Sequence, residues 1–399
     1  MKHLRPTDIR GAAQLATQAT VGVSRIAEGV HQSVWGSMGV PGGKAPGETR
    51  GITGLVYQCV RGVTQLVGKS VDVLLAKLQP VLELAEQSAP ESYQRAAVLA
   101  ALNGVLGDRL VAMNNPLATP MTLRWSGRVL SPQNQPTATE VNGKVMLLVH
   151  GLCMNELSWD LPLQDLGYTP VYLRYNTGLH TSTNGKTLAE QLEQLRALWP
   201  VPIEELTIVA HSMGGLITRS AVHQARMHHM QWPQQLKNIV FLGTPHHGAP
   251  LERAGNWVDV ILGTTPYSRP FATLGQLRSA GITDLRFGHV LEADWAGRDR
   301  FEKGPYRRQP LPLPAGVACF TVAATTAARR GALAERLVGD GLVPLRSALG
   351  QHNAPEHRLN FAKPNQHILY RTHHMALLAS PDVRQQILLW LGQQYDHKK

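Results

Sequence analysis

The sequence predicts an α/β fold: a mostly parallel central sheet with helices on both faces, a helical extension before it and a lid-like insertion within it. Three observations predict it. Short, nearly unbroken apolar runs such as KVMLLV (144–149) have the texture of strands buried on both faces. Helix-compatible stretches separate several of these runs, as strand–helix–strand units require. Residues 7–113, by contrast, carry helical periodicity and no convincing strand.

In order, Ile9, Ala12, Ala16, Ala19, Val23, Ile26 and Val30 recur at alternating steps of three and four, which predicts a helix with one apolar stripe. VPGGKAPGETRG (40–51) is a Gly/Pro linker. Val56, Val60, Val63, Val67, Val71, Leu74 and Leu78 mark a second helix, and Leu99, Leu102, Leu106, Leu110 and Met113 a third. Residues 1–121 are thus an N-terminal helical extension that caps the second domain. Its small-residue, weakly charged stripes also suit a lipid or partner surface. After NNPLATP (114–120) the texture changes. TLRWSGRVL (122–130), KVMLLVHG (144–151), TPVYLRY (169–175), ELTIVA (205–210), LKNIVFLG (236–243) and GVACFTVAA (316–324) are predicted strands. TLAEQLEQLRALW (187–199) is an amphipathic helix, and 379–394 closes the domain as a helix capped by Ser380 with Pro381 in its first turn. Residues 122–399 form the predicted catalytic domain. Its stretch 251–306 is long for a connection and carries Trp257, Ile261, Leu262, Tyr267, Phe271, Leu274 and Leu277. It is expected to be a lid or acyl-binding cap, or else helices packed on the core.

Composition narrows the function classes. The chain has 399 residues and is 43% hydrophobic, enough for a large core. No apolar run reaches the ~18 residues that span a bilayer, and the start lacks an apolar signal core. A cytoplasmic chain is expected, with peripheral membrane contact through the N-terminal helices as the membrane option. Three scattered cysteines, Cys59, Cys153 and Cys319, give neither a disulfide framework nor a metal spacing. The net charge of +11 is dispersed and accompanied by no nucleic-acid motif, so solubility is its simplest role. No cofactor is called for, and oligomeric state is not legible.

The chemistry gathers at ELTIVAHSMGG (205–215), a buried strand that breaks at Ser212 into a helix. Such a corner strains its residue and needs small neighbours two positions away, here Ala210 and Gly214. It lifts the hydroxyl above the sheet at a helix N-terminus, which favours a developing anion. The alternative is a helix N-cap serine. A hydroxyl needs a base, and in this architecture an acid and a histidine follow the serine. VGDGLVP (338–344) sets Asp340 between two glycines, where the alternative is an ordinary turn aspartate. RTHHMALL (371–378) offers His374, with His373 second; His352, His357 and His367 are less well placed. Asp284, Asp294 and Glu335 are the next acids to consider. The oxyanion hole is assigned to the amides of Met213 and Leu152, with His150 fixing the loop. His246 and His247 in GTPHHGAP (243–250) shape a loop, with a metal site as the lesser option.

LLVHGL, VAHSMGG, FLGTPHHGAP, GDGLVP and HHMALL occur in this order over the last two-thirds of the chain. Together they resemble a lipase-like member of the α/β-hydrolase superfamily, similar to bacterial lipases and the inositol-deacylase-like group. The resemblance implies serine ester hydrolysis through Ser212, Asp340 and His374, with a small-molecule or lipid ester as substrate. It departs from the commonest pattern in Ala210, where glycine is usual, and it does not cover the helical extension. Thioester hydrolysis, polyester depolymerisation and acyl transfer share the same triad. A non-catalytic membrane- or protein-binding module on a hydrolase fold is the rival from another class.

Overall fold

Runs of Val, Ile and Leu bounded by polar or glycine turns become strands because branched side chains pack well on a pleated surface. The computed structural model describes residues 5–37, 58, 61–62, 64–65, 69, 93–162, 166–249, 279–297, 308–328 and 339–396. Among them eight strands form one sheet: β1 (Thr122–Trp125), β2 (Arg128–Val129), β3 (Lys144–Val149), β4 (Thr169–Arg174), β5 (Glu205–His211), β6 (Leu236–Leu242), β7 (Ala318–Ala324) and β8 (Gln366–Leu369). Their order is β2-β1-β4-β3-β5-β6-β7-β8. β4 through β8 pair in parallel, and β1 runs antiparallel to both its neighbours.

Two strand expectations change. Residues 122–130 form a hairpin rather than one strand. Ser126 (φ 47°) and Gly127 (φ 74°) occupy the two central positions, and a two-residue turn with left-handed backbone at both matches the twist of a hairpin. β8 was not among the predicted strands; it is four residues long, and Gln366, His367 and Ile368 are only half-buried. Such an edge strand carries no apolar run to announce it.

The helices are α1 (Pro6–Ser37), α2 (Tyr93–Ala112), α3 (Thr181–Leu198), α4 (Met213–Met227), α5 (Ala280–Phe287), α6 (Leu345–Ala348) and α7 (Pro381–Asp396). Alternation along the strands divides the core. Val145, Leu147, Val149, Ile208, Ala210, Ile239 and Phe241 pack with α3 and α4 on one face. Met146, Leu148, Val209, Val240, Leu242, Phe320 and Val322 meet Val383, Ile387, Trp390 and Leu391 of α7 on the other. Each buried Val, Leu, Ile, Met or Phe side chain among these contributes roughly 1.5–3 kcal/mol by leaving water. Ser380 caps α7 as expected, its hydroxyl accepting from the Val383 amide at 3.3 Å. α3 begins at Thr181, six residues before the predicted start, because the Asp284 carboxylate accepts the Thr181 amide at 2.7 Å. That cap comes from a distant segment, out of reach of local patterning.

The chain divides into two compact units, Met1–Arg95 with Ala112–Leu117, and Ala96–Val111 with Ala118–Lys399. Residues 96–111 of α2 therefore group with the sheet, although the predicted extension runs to residue 121. Residues 100–107 are buried all round, and the one polar side chain among them, Asn103, is satisfied by the Leu99 carbonyl and the Thr119 amide. Over its first part α1 buries a different face from the expected one; the side chains of Val23, Ile26 and Val30 lie outside the described residues. Ile9, Ala12, Ala16 and Ala19 are exposed, while Asp8, Gly11, Val21 and Glu28 are buried. Asp8 takes two hydrogen bonds from Arg95, at 2.8 and 2.7 Å, and Glu28 pairs with Arg61. Alanines gain little by burial, so these ionic anchors set the rotation of the helix. The linker and most of the second predicted helix lie outside the described residues, as do 251–278 and 298–306 of the insertion.

Candidate active site

β5 ends at His211 and α4 starts at Met213, leaving Ser212 at the corner with φ 54° and ψ −122°. A side-chain-bearing residue in that conformation is strained. The Ser212 amide donates to the Leu242 carbonyl at 2.8 Å, which pins the corner to the end of β6. A Cβ at Gly214 would lie 2.5 Å from the Val149 oxygen, so only glycine lets α4 pass that close to β3. The loop after β3 crosses the serine: a Cβ on Gly151 would stand 3.1 Å from Ser212 Cβ.

Asp340 lies in the segment between β7 and α6. Gly339 and Gly341 take φ 61° and 95°, the left-handed backbone that favours glycine. Asp340 Oδ1 accepts the amides of Leu342 (3.0 Å) and Val343 (2.8 Å), which fixes the carboxylate. Its Oδ2 accepts a 2.7 Å hydrogen bond from His374 Nδ1, and the His374 amide donates to the Asp340 carbonyl at 3.0 Å. His374 is 1% exposed and opens a short 3-10 helix, His374–Leu378, after β8. Its Nε2 is buried and has no hydrogen-bond partner among the described residues. His373 is exposed. The structure therefore joins Asp340 to His374 and leaves the second histidine outside.

Ser212 and His374 converge through shared neighbours. Gly243, which follows β6, lies against the His374 ring, where a Cβ would stand 3.1 Å from Nδ1. His211, the residue before the serine, has its ring 4.7 Å from that of His374 and its Nε2 3.4 Å from the His374 carbonyl. Burial foremost, and then the neighbouring His374, holds His211 well below the usual imidazole range, so it stays neutral. The amides of Leu152 and Met213 have no acceptor among the described residues, and both residues are buried. His150 stacks on Tyr175 at 4.4 Å, and its Nδ1 meets the Gly151 carbonyl at 2.9 Å. Burial pushes its pKa down to about 4, which suits a neutral loop anchor.

Three supports escaped the sequence reading: His211 itself, Tyr175, whose hydroxyl donates to the His150 carbonyl at 2.7 Å, and Thr177, whose hydroxyl accepts the Cys153 amide at 3.1 Å. Tyr175 and Thr177 follow β4. Position just beyond the C-terminal end of a parallel strand was the available signal.

The other candidates sit elsewhere. Asp284 accepts from His180 Nδ1 (3.0 Å), His289 Nδ1 (2.9 Å) and the Thr181 amide. Asp294 accepts the amides of Val290, Leu291 and Gln309. Glu335 lies outside the described residues. His246 packs edge-on to Phe241, whereas His247 Nδ1 meets Arg308 at 2.7 Å, so the two rings face different surroundings. Among the described residues no group of three His, Cys, Asp or Glu side chains is placed to hold a metal. Of the insertion, the described α5 reaches the serine's helix: a Cβ on Gly281 would lie 3.0 Å from the Met213 methyl.

The sheet order reverses direction between β4 and β5 around β3, and the serine, aspartate and histidine follow β5, β7 and β8 in that order. The chain has the α/β-hydrolase fold. Within it, residues 174–286 match a family described as a domain of unknown function, DUF7379. That match holds the serine corner of the α/β-hydrolase fold but neither Asp340 nor His374. Curated proteins give no match. Among solved structures, the chain is similar to a lipase of Bacillus licheniformis in its mature form, with 18% identity and a TM-score of 0.41 over 68% of this chain and 98% of that one. It is also similar to a lipase-esterase related protein from Clostridium acetobutylicum (13%, TM-score 0.32, 62% and 95%). A third is a thermophilic esterase from Thermogutta terrifontis (12%, TM-score 0.37, 63% and 91%).

Proposed function

We propose that the chain is a serine carboxylic-ester hydrolase, with Ser212 as nucleophile, His374 as general base and Asp340 as the carboxylate that orients it. One observation carries the reading: His374 Nδ1 donates a hydrogen bond to Asp340 while its Nε2 stays buried and unpartnered among the described residues, beside a strained serine corner. Nε2 is the nitrogen a base needs free.

In this mechanism Ser212 Oγ attacks the ester carbonyl carbon as His374 Nε2 takes its proton. The carbonyl electron pair moves to oxygen, which faces the Leu152 and Met213 amides. Collapse of the tetrahedral intermediate breaks the ester C–O bond, and His374 returns the proton to the departing alcohol. Water, deprotonated by the same nitrogen, then attacks the acyl-serine; the acyl C–O bond breaks, His374 returns the proton to Ser212 Oγ, and the acid leaves. Asp340 stays ionised and balances the imidazolium. The acyl-enzyme is common to thioester and polyester hydrolysis and to acyl transfer, so the acceptor and substrate distinguish these reactions.

The test is labelling by a fluorophosphonate probe together with turnover of p-nitrophenyl esters from short to long acyl chains. Wild type is expected to take up the probe at Ser212 and to release nitrophenol. Ser212→Ala is expected to keep its fold, lose labelling and lose on the order of 10⁶-fold in kcat. A folded Ser212→Ala protein with wild-type turnover sinks the assignment, and a wild type inert to every probe favours a binding module.

A further inference from the structure

The buried middle of α2 lies directly behind the loops of the candidate site. A Cβ on Gly104 would lie 2.1 Å from Cys153 Sγ and 3.1 Å from both Cys153 Cα and Cβ. Cys153 follows Leu152, the residue whose amide faces the developing oxyanion in the mechanism above. Cys153 takes φ 57°, a left-handed conformation that a cysteine holds only under constraint. One turn further on, Gly107 meets the Asn176 side chain, whose Nδ2 donates to the Gly107 carbonyl at 3.0 Å. Ser279 Oγ donates to the Gly104 carbonyl at 2.6 Å, and the Ala280 amide to Asp108 at 3.1 Å. The same loop is held from the other side, where Thr177 accepts the Cys153 amide and Tyr175 donates to the His150 carbonyl.

We infer that Gly104 is a positioning residue for the oxyanion donor: the missing side chain lets α2 seat against Cys153, and that seat fixes where the Leu152 amide points. The inference rests on the ester-hydrolase reading. α2 comes from the segment before the catalytic strands, so the helix supplies part of the site's backing. A donor misplaced by a few tenths of an ångström loses contact with the tetrahedral oxygen more than with the ground-state carbonyl, because the hydrogen bond tightens only as charge develops. Displacement of the loop therefore lowers kcat and leaves KM nearly alone. Simple packing behind the loop would instead lower stability at unchanged kcat.

The experiment is a double-mutant cycle on the full chain, read by kcat and KM on a p-nitrophenyl ester. Gly104→Ala puts a methyl on the Cys153 sulfur and should lower kcat by about 10- to 100-fold, with KM within about threefold. Cys153→Gly removes both the sulfur and Cβ, and glycine adopts a positive φ freely. In the Gly104→Ala background it should restore kcat to within about threefold of the Cys153→Gly single variant, a coupling that independent sites do not show. Thr177→Val removes the acceptor of the Cys153 amide at nearly constant volume and should give the same kcat-selective loss. It decides the question if Gly104→Ala does not fold. A folded Gly104→Ala or Thr177→Val protein with kcat within twofold of wild type overturns the inference, as does a Gly104→Ala loss that Cys153→Gly leaves unrelieved. A wild type that neither labels nor turns over esters overturns the hydrolase reading and this inference with it. An active, labelled wild type with an indifferent Gly104 overturns this inference alone.

Discussion

Asp340 and Asp284 are both fully buried, and each accepts a hydrogen bond from a histidine Nδ1. Asp340 serves a single histidine, spends its other oxygen on two amides of its own loop, and leaves that histidine's far nitrogen unpartnered in the interior. Asp284 divides itself between His180 and His289 and caps α3 through the Thr181 amide. His180 is further fixed by a parallel stack on Trp295, 3.6 Å between centroids. The chemistry of the pair is the same in both places; its surroundings differ. In the proposed mechanism, the buried imidazole with its far nitrogen unpartnered beside a strained serine is the group that moves the proton. An imidazole clamped between a carboxylate and an indole is a strut.

The largest expected effect tests that contrast at the histidines. His374→Ala should lose on the order of 10⁶-fold in kcat, because a nucleophile and its base act as a unit. His180→Ala and His373→Ala should keep most of the activity. Steady-state kinetics on folded variants checks this. Loss at His180 with retention at His374 would exchange the roles of the two aspartate clusters.

At the aspartates the expected outcomes separate by observable. Asp340→Asn should keep the fold and lose about 10⁴-fold in kcat, because the amide no longer holds the imidazole in its productive tautomer. Asp284→Ala should cost about 3 kcal/mol or more in unfolding free energy, since three donors lose a buried charged acceptor. Denaturant melts beside kinetics decide it. An Asp284→Ala protein as stable as wild type would mean that the cluster is not a strut.

Acid should act on the buried neutral histidines and on Asp284 in different pH windows. Burial holds His150 at about 4, and holds His211 and His246 well below the usual imidazole value. Unfolding returns them to about 6.5. Between these values the unfolded chain binds more protons, so stability falls as pH drops below about 6.5, down to about 4 for His150. For Asp284, burial raises the carboxyl and the hydrogen bonds from His180 and His289 outweigh it, leaving its pKa below 3.8. Its contribution is present above the ordinary aspartate value and disappears only below it. Melting temperature measured from pH 8 to pH 3 should show loss beginning near pH 6.5. A flat profile down to pH 4.5 would contradict the neutral buried histidines.

The candidate reactive cluster was more legible in the sequence than the Asp284 cluster. Ser212, Asp340 and His374 each sit in short, local signatures, because a sharp corner, a glycine-flanked carboxylate and a loop histidine are demands on neighbouring residues. The Asp284 cluster joins residues about a hundred positions apart, and its consequence, the early start of α3, falls on Asn184-Gly185, which reads locally as a turn. The hairpin at Ser126-Gly127 is hidden inside an apparently continuous strand, and β8 has too few apolar residues to show a period. Thr177, Tyr175 and Gly104 matter through contacts between segments, which no spacing encodes. The grouping of residues 96–111 with the strand-bearing unit likewise rests on contacts between segments.

A third buried aspartate gives the smallest effects and sharpens what selects a buried face. Asp8 pairs with Arg95, and both belong to the unit that holds α1. Gly11 lies against Leu117, where a Cβ would stand 2.3 Å from Cγ. Elsewhere in a helix, glycine to alanine gains about 1 kcal/mol. At position 11 the overlap should reverse that sign, making Gly11→Ala destabilising for its own unit. Ala16 is exposed, so Ala16→Glu should change stability by no more than about 0.5 kcal/mol. Neither variant touches the site loops, so ester turnover should hold. The decisive comparison is local hydrogen exchange across α1 in the two variants. Faster exchange in Ala16→Glu than in Gly11→Ala would mean that the alanine stripe, and not the ionic anchors, faces the interior.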